Sequence, residues 1–590
     1  MAEQSGMPGS PPRSFKLMKA GGWALGVGAI LLFALLAVLV TPHLISTSLP
    51  EAGSVQSQVP PTRITLAIAA TGDLKGTVTR RGGRRPGGLA HLAGALHRLR
   101  QTYPYLLLLD AGDAWVDDPE AEALSAPGAA LPPLLPLMND LGYDAMALGN
   151  RDISGGWAVL DRLREAAKFP VLAANLVMPD GAPVLPPYAI VARGGVRVAV
   201  LGLTSPAVSV GLDPTLFAPA QPVSLLDAVR NWVPRLRQEQ QADVVIALAH
   251  AGLNDGYERE AALRGGVPGY SGAGELADET LGLDLVISGG AHKLSPLRRL
   301  GSDDAYTVPV LETGAYGEAL VLALLTLERG AQGWRVIALK REPVYAAPTP
   351  DPAALALAEP ALQRRQAWLG EKTALRVARR PRRIEWEACA GTLEHLALTT
   401  WAQSLPDVGT HWPPDALTLL PYLWRGRLPV KAPPDRAITR RDVYRWMAFP
   451  EAPVRMRLSP RQVQVLLEPH ARHVRGRKVP DTLVLWPGGF EAQIATGGSE
   501  LPTLRRNGTR LEEIGWLESP TALSVWMTGY VRHGGGGLAP RALLHPSQQV
   551  SLPPGILPVT VREAVFRLMQ TPPDPLPLPC RRWLVSAAAR

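Results

Sequence analysis

Leu106-Leu107-Leu108-Leu109 is an uninterrupted apolar run that stops at Asp110-Ala111-Gly112-Asp113. A short apolar run closed by a small-residue turn predicts a strand buried on both faces. Three further runs end in residues able to bind a metal: Ile64 to Ala70 leads to Thr71-Gly72-Asp73, Asp243 to Leu248 to Ala249-His250, and Asp284 to Ile287 to Ser288-Gly289-Gly290-Ala291-His292. A fifth, Tyr143 to Leu148, delivers Gly149-Asn150. Helical spacing covers Leu89 to Arg100 and Leu225 to Val233, with another strand-like run at Val198 to Leu203. This alternation predicts a sheet covered on both faces by helices. A polar residue after one strand is ordinarily a turn residue. Five strand ends of this kind point instead to a site at the sheet's carboxyl edge, with Asp113 at its centre.

Punctuation along the chain sets the outer organisation. Residues 1–19 read as a cytoplasmic segment carrying Arg13, Lys16 and Lys19. The uncharged stretch that follows, residues 20–42, is long enough at about 1.5 Å per residue to cross a bilayer as a transmembrane anchor. Basic residues before it and none soon after place the bulk of the chain outside the cytoplasm. A cleaved signal peptide is the competing reading, against which stand the length of the apolar core and the lack of an A-x-A-like site. Residues 43–62 form a tether, 63–342 a first domain, 343–372 a linker and connecting helix, 373–570 a second α+β domain, and 571–590 a Pro-rich tail. The Pro-rich stretches Ala126 to Pro136 and Pro343 to Pro352 are expected to be a surface loop and an interdomain linker. Pro360 is a candidate kink in the connecting helix.

With 590 residues, 46% apolar and 19% charged, the chain can bury large cores, so disorder is only local. The net charge of +9 is spread thinly, and no basic stretch is interleaved with aromatics, which argues against a nucleic acid polymer as partner. Two cysteines, Cys389 and Cys580, exclude a disulfide framework and leave open one bridge or two separate thiols. His91 and His97 fall on a helix and read as surface residues. Arg80-Arg81-Gly82-Gly83-Arg84-Arg85 reads as a solvated loop, with anion binding beside Asp73 as the alternative.

In order and spacing, Gly87-Gly88-Leu89-Ala90, Leu109-Asp110-Ala111-Gly112-Asp113-Ala114-Trp115, Gly149-Asn150, Ala249-His250-Ala251-Gly252, Ile287-Ser288-Gly289 with His292, and Ala437-Ile438-Thr439-Arg440-Arg441-Asp442-Val443-Tyr444 resemble the 5'-nucleotidase superfamily of two-metal phosphoesterases. Within it they look most like the thiosulfohydrolase of the bacterial sulfur-oxidation system. The resemblance spans roughly residues 62 to 570. It implies an α/β metallophosphoesterase-like sandwich domain followed by a 5'-nucleotidase C-terminal-like α+β domain, here behind the N-terminal transmembrane helix. The anchor and its flanking charges make the chain a single-pass inner-membrane protein with its bulk in the periplasm; the resemblance implies a small anionic substrate and a divalent metal, Mn or Zn, either kept or lost.

By the same resemblance Asp113 bridges two ions, Asp73 and His292 complete one position, and Asn150 and His250 the other. The sequence then departs from the family. Lys75 stands where a His is expected, Gly290 where a second His is expected, and Arg151 where nucleotidases carry the His that stabilises the leaving group. A lysine about 4 Å from a divalent ion would be repelled by roughly 8 kcal/mol at an effective dielectric of about 20. Lys75 must turn away, deprotonate or replace the ion, and replacement would neutralise two carboxylates. Arg151, with Asn150, is the candidate for electrostatic stabilisation of a reacting group. In the second domain Tyr530 is the candidate substrate platform, although Gly536 occupies the place of the nucleotidase acid and makes nucleotide a doubtful ligand. Three functions stay open on these residues: a superfamily member with an impaired or cation-replaced dinuclear site, an active hydrolase of phosphate esters or thiosulfonates, and a non-catalytic binding or scaffold protein.

Overall fold

A computed structural model of the chain describes residues 62–80, 85–115, 131–206, 216–253, 272–294, 308–331 and 333–377, with shorter stretches chiefly between 393 and 586. The expected anchor at 20–42, Tyr530, Cys389 and Cys580 lie outside the described residues. Among the described residues no helix is long and apolar enough to cross a membrane.

The first domain's strands form two sheets rather than the single helix-covered sheet that the alternation predicted. One sheet contains β1 (Arg63–Thr71), β2 (Leu107–Asp110), β3 (Ala145–Ala147) and β4 (Val171–Leu172). The other contains β5 (Tyr188–Arg193), β6 (Val196–Thr204), β7 (Val244–His250), β8 (Leu285–Gly289) and β9 (Val310–Glu312). A long hairpin, β10 (Ala319–Gly330) and β11 (Gly333–Tyr345), joins the first sheet, giving the order β11-β10-β1-β2-β3-β4. The second sheet runs β9-β8-β7-β6-β5. In both, the central strands pair in parallel.

Strand periodicity explains the two-sheet arrangement. Successive side chains point to opposite faces, so Leu66, Ile68, Leu107 and Leu109 meet Val198, Val200, Ile246 and Leu248 in a shared core between the sheets. The alternate residues Ala67, Ala69 and Leu108 pack outward in a core with α1 (Leu89–Thr102) and α2 (Leu134–Leu141). On the second sheet Ala199, Leu201, Val245 and Ala247 do the same with α4 (Leu225–Gln238) and α5 (Ala273–Glu279). A further helix, α3 (Trp157–Ala166), packs Val159, Leu160 and Leu163 into the first outer core. Helices therefore cover only the outer faces, because each inner face is closed by the opposite sheet.

Several prolines fall inside regular elements, and for Pro136 and Pro343 this corrects the loop and linker expected of their stretches. Pro136 lies in the first turn of α2, where its missing N–H has no helical acceptor to lose. Pro343 is within β11, opposite Val321, and is tolerated because β11 is an edge strand. The helix α4 runs on past Pro234 to Gln238. The connecting helix α6 (Pro352–Leu369) likewise passes through Pro360, capped at its start by Asp351, whose carboxylate accepts from the Ala353 and Ala354 amides. His91 is buried, not surface-exposed, with Nδ1 2.7 Å from the Ala347 carbonyl, whereas His97 is exposed.

Beyond α6, β12 (Lys372–Val377) pairs with the strands Ala437–Thr439 and Leu584–Ser586. A second, five-stranded sheet is built on Leu523–Thr528, which lies between Leu417–Pro421 and Pro453–Leu458. Arg440 ties the connecting helix to this region. Its guanidinium bonds Glu371 at 2.6 Å and also Glu563, and stacks over the rings of Trp368 at 4.6 Å and Phe566 at 3.8 Å.

Buried acids hold the loops at the carboxyl edges of the first domain's strands. Asp152 accepts backbone hydrogen bonds from Asp113 at 2.8 Å, Gly149 at 3.0 Å and Trp115 at 3.2 Å, joining the loops after β2 and β3. Asp110 accepts from the Thr71 hydroxyl at 2.6 Å and the Gly112 amide at 2.9 Å. Glu312, at the end of β9, accepts from the Ala291 amide at 3.1 Å. Burial pushes Asp110 up to about 7, and Asp152 and Glu312 up to about 8.

Replacing Asp152 by Ala leaves three buried amides without their acceptor, so the unfolding free energy should fall by about 3–5 kcal/mol in denaturant titration. A loss within experimental error would show that the loops are held by other contacts. The folded chain holds protons on these acids that the unfolded chain has released above about pH 4, so their contribution to stability declines as pH rises toward 8. Glu312→Gln should flatten that decline in denaturation midpoints measured from pH 5 to 9. An unaltered slope would remove Glu312 from the titration.

Candidate functional site

The loops after β1 and β2 continue the pairing of the strands that precede them. Asp73 N donates to Gly112 O, Lys75 N to Asp113 O and Gly76 N to Ala114 O, each at 2.8 Å. Two acids that are distant in sequence are thereby set side by side. The loop after β3 approaches so closely that a Cβ on Gly149 would lie 2.1 Å from Asp113 N, which is why glycine precedes Asn150. At the second sheet's carboxyl edge β7 ends in His250, and β8 leads through Gly290 to His292.

Asp73, Asp113, Asn150, His250 and His292 converge with Lys75 and Arg151 in one place. Asp73 is buried and accepts from the Gly290 amide at 2.7 Å through Oδ2, while Oδ1 lies 3.1 Å from His292 Nε2 and 3.3 Å from Lys75 Nζ. Asp113 Oδ2 accepts from Lys75 Nζ at 2.9 Å. Its Oδ1 accepts from the Arg151 amide at 2.7 Å and lies 3.6 Å from His250 Nε2. His250 is fixed through Nδ1, which is 2.9 Å from Ala111 O, with Nε2 3.1 Å from Asn150 Oδ1. Since a carbonyl only accepts, Nδ1 carries the proton in that bond.

Charge follows from these contacts. Burial alone would lower the Lys75 ammonium's pKa, but Asp113 and Asp73 outweigh it and raise it, so Lys75 stays protonated. Burial raises Asp113 and Asp73, yet the neighbouring cations prevail. Lys75, His250 and Arg151 hold Asp113 far below the ordinary carboxylate range, and His292, His250 and Lys75 hold Asp73 below it. Both are carboxylates at neutral pH.

Backbone strain concentrates here as well. Asp73, Lys75, Asp113, His292 and Tyr316 have φ between 48° and 56°. Among the described residues the one other non-glycine with positive φ is Gln241. Left-handed conformations cost roughly 1 kcal/mol or more for such residues and gather where a site over-determines the backbone. Tyr316 was not anticipated. Its amide donates to Asp73 O at 2.8 Å, its ring meets that of His292 edge-on, and Arg80 lies 4.2 Å over its face. Arg80 also pairs with Glu318 at 3.0 Å, so it is not the freely solvated residue expected of its loop. Glu312 was missed too, although Val310-Leu311-Glu312-Thr313-Gly314 repeats the pattern of an apolar run ending in an acid and a glycine.

The two halves of the cluster fit a metal ion differently. Asp73, Asp113 and His250 present ligand atoms within 4.8 Å of one another, all buried. Ligands about 2.1 Å from one ion stand roughly 3.0–3.4 Å apart. The spacings of 3.1 Å and 3.6 Å about His250 Nε2 are close to that. The backbone carbonyl on its other nitrogen is the usual support of a ligating histidine. On the Asp73 side the fit fails, because Lys75 Nζ occupies the space between the carboxylates that an ion would need.

No protein-family model matches the chain. It is 29% identical over 273 residues to the trifunctional nucleotide phosphoesterase YfkN of Bacillus subtilis, covering 42% of this chain and 18% of that protein. It is 28% identical over 256 residues to the 5'-nucleotidase of Bos taurus, covering 40% of each. The chain thus spans less than half the length of these curated relatives. In fold it matches a Staphylococcus aureus protein assigned as a 5'-nucleotidase, with a TM-score of 0.61 at 17% identity over 86% of this chain and 96% of that one. The α/β sandwich is that of the metallophosphoesterases, a metal-dependent family, and over about 270 residues the chain is similar in sequence to nucleotide phosphoesterases and 5'-nucleotidases of that superfamily.

Proposed function

We propose that this chain is a membrane-tethered, periplasm-facing member of the superfamily in which the ammonium of Lys75 takes the place of one of the two metal ions. The observation that carries this reading is the position of Lys75 Nζ, 2.9 Å from Asp113 and 3.3 Å from Asp73. A single buried positive charge there balances carboxylates that would otherwise repel each other. With that position filled, dinuclear hydrolysis is impaired.

The substrate class that suits the remaining groups is a small oxyanion, a phosphate ester or a thiosulfonate. Lys75 and Arg151 supply fixed positive charge, Arg151 lying near enough to Lys75 and Asp113 to perturb both. Asn150 and His292 border the same cluster, and His292 is about half exposed, at the side from which an anion would enter. A divalent ion such as Mn or Zn, when bound, would polarise the anion and activate water. The protein's own groups orient the anion and neutralise it. Residual metal-dependent hydrolysis is the second reading, favoured by the convergence of Asp113, Asn150 and His250. The tether is proposed on the uncharged stretch 20–42, and Tyr530 remains the proposed contact from the second domain.

Lys75→Ala should unfold about 3–5 kcal/mol more easily than the parent in EDTA, because two buried carboxylates lose their counter-charge. Added manganese should restore much of that loss by entering the vacated space. A variant as stable as the parent in EDTA would sink the assignment of Lys75 as the balancing charge.

Lys75→His returns a metal ligand to the family's position. With manganese it should hydrolyse aryl phosphates or thiosulfonates about a hundredfold faster than the parent, a factor ordinary for a charge-stabilising group. A parent enzyme that is already fast, and slower as Lys75→His, would establish an intact hydrolase instead. Deleting residues 1–61 should move the protein from the membrane fraction to the soluble fraction on ultracentrifugation. Retention in the membrane would refute the tether.

A further inference from the structure

We infer that Arg80 is a substrate-selecting residue, whose guanidinium binds a second anionic group on the small oxyanion received by the strand-end cluster. The preferred ligand is then a phosphate ester or thiosulfonate whose outer end also carries a carboxylate, sulfonate or phosphate. This assignment rests on the oxyanion reading proposed above and adds a specificity determinant outside the cluster.

Backbone contacts fix where Arg80 lies. It closes a hairpin with Gly87, Arg80 N donating to Gly87 O at 2.7 Å and Gly87 N to Arg80 O at 3.3 Å. The next amide, Gly88 N, donates to Tyr316 O at 2.8 Å. A Cβ on Gly87 would come within 2.7 Å of that carbonyl, so glycine is what lets the two segments approach. Tyr316 N is in turn bonded to Asp73 O. Through these bonds the hairpin is set against the segment that borders the cluster. The Tyr316 ring then has Arg80 4.2 Å over its face and His292 against its edge, with ring centroids 6.2 Å apart. The Arg80 and His292 side chains are 37% and 46% exposed, so both reach solvent at the cluster's margin.

The arginines at the two ends of Arg80 to Arg85 are used differently. Arg85 lies 3.8 Å over the ring of Tyr345, a contact that holds loop to strand. Arg80 is stacked as well, but it is also oriented by Glu318, which accepts from its Nη1 at 3.0 Å. Its Nε and Nη2 donors have no hydrogen-bond partner among the described residues. A guanidinium held on a ring and by one carboxylate loses little freedom when another oxyanion engages its open donors, and its planar fork suits such groups. Lys75 cannot serve in this way, being 8% exposed and committed to two aspartates. A ligand with one anionic end at the cluster and another at Arg80 is therefore neutralised at both ends, whereas a ligand with a single anionic end leaves Arg80 to Glu318.

Isothermal titration of the full-length protein in detergent tests this with ω-phosphonoalkanoic acids, from phosphonoacetate to 6-phosphonohexanoate. Each is compared with the alkylphosphonate that lacks only the carboxylate. At one or more lengths the acid-bearing member should bind about fivefold more tightly, the worth of one oriented and partly exposed ion pair. Arg80→Gln should leave both members of each pair bound alike, while Arg85→Gln keeps the gain. Glu318→Gln retains an acceptor for Nη1 but removes the competing negative charge, so it should widen the gain, which an Arg80 that only fastens the hairpin would not produce. Equal binding of both members at every length would overturn this inference and leave the oxyanion reading standing. So would a gain that survives in Arg80→Gln or is unmoved in Glu318→Gln. Binding of neither member would overturn both readings. Should Arg80→Gln fail to fold, the paired ligands on the parent and on Glu318→Gln still decide the matter.

Discussion

Everything at this site follows from the pairing of two parallel strands being carried past their ends. Because the loops after β1 and β2 keep exchanging backbone hydrogen bonds, Asp73 and Asp113 are held adjacent in a place that water barely reaches. Two carboxylates so placed require positive charge, and the chain supplies it from Lys75, on one of those same loops. The loop itself delivers the cation.

The surrounding acids solve a different problem with the same residue type. Asp110, Asp152 and Glu312 sit close by yet bond mainly to amides and hydroxyls, and burial raises them toward neutrality at pH 7. Asp73 and Asp113 lie against cations and are lowered. Environment thus sorts five buried acids into charged and largely neutral sets. The neutral set fixes loop geometry by accepting backbone hydrogen bonds. The charged set is left to meet a cation or a substrate.

The strained residues belong to this arrangement. Asp73, Lys75, Asp113, His292 and Tyr316 share left-handed backbone at strand exits, where the chain turns abruptly enough to aim a side chain back over the sheet edge. That conformation is unfavourable at each residue and is held by the backbone bonds around it.

The sequence alone determined the strands, because apolar runs closed by small turns have few alternatives. β1, β2, β6, β7 and β8 lie where those runs lie, and the order of Asp73, Asp113, Asn150, His250 and His292 after them carried the resemblance to the superfamily. Lys75 was visible as a departure from the motif, and its conflict with a divalent ion followed from charge. Tertiary structure decided what local pattern does not encode. That two sheets face each other depends on which strands pair, a choice between equally apolar runs. Pro136 and Pro343 fit their elements because of their position in a first turn and on an edge. Arg80, His91, Glu312 and Tyr316 acquired partners from segments far away in the chain. Lys75 in isolation could have turned outward. Only the folded loops, which bring two carboxylates within about 3 Å of its ammonium, made inward the lower-energy direction.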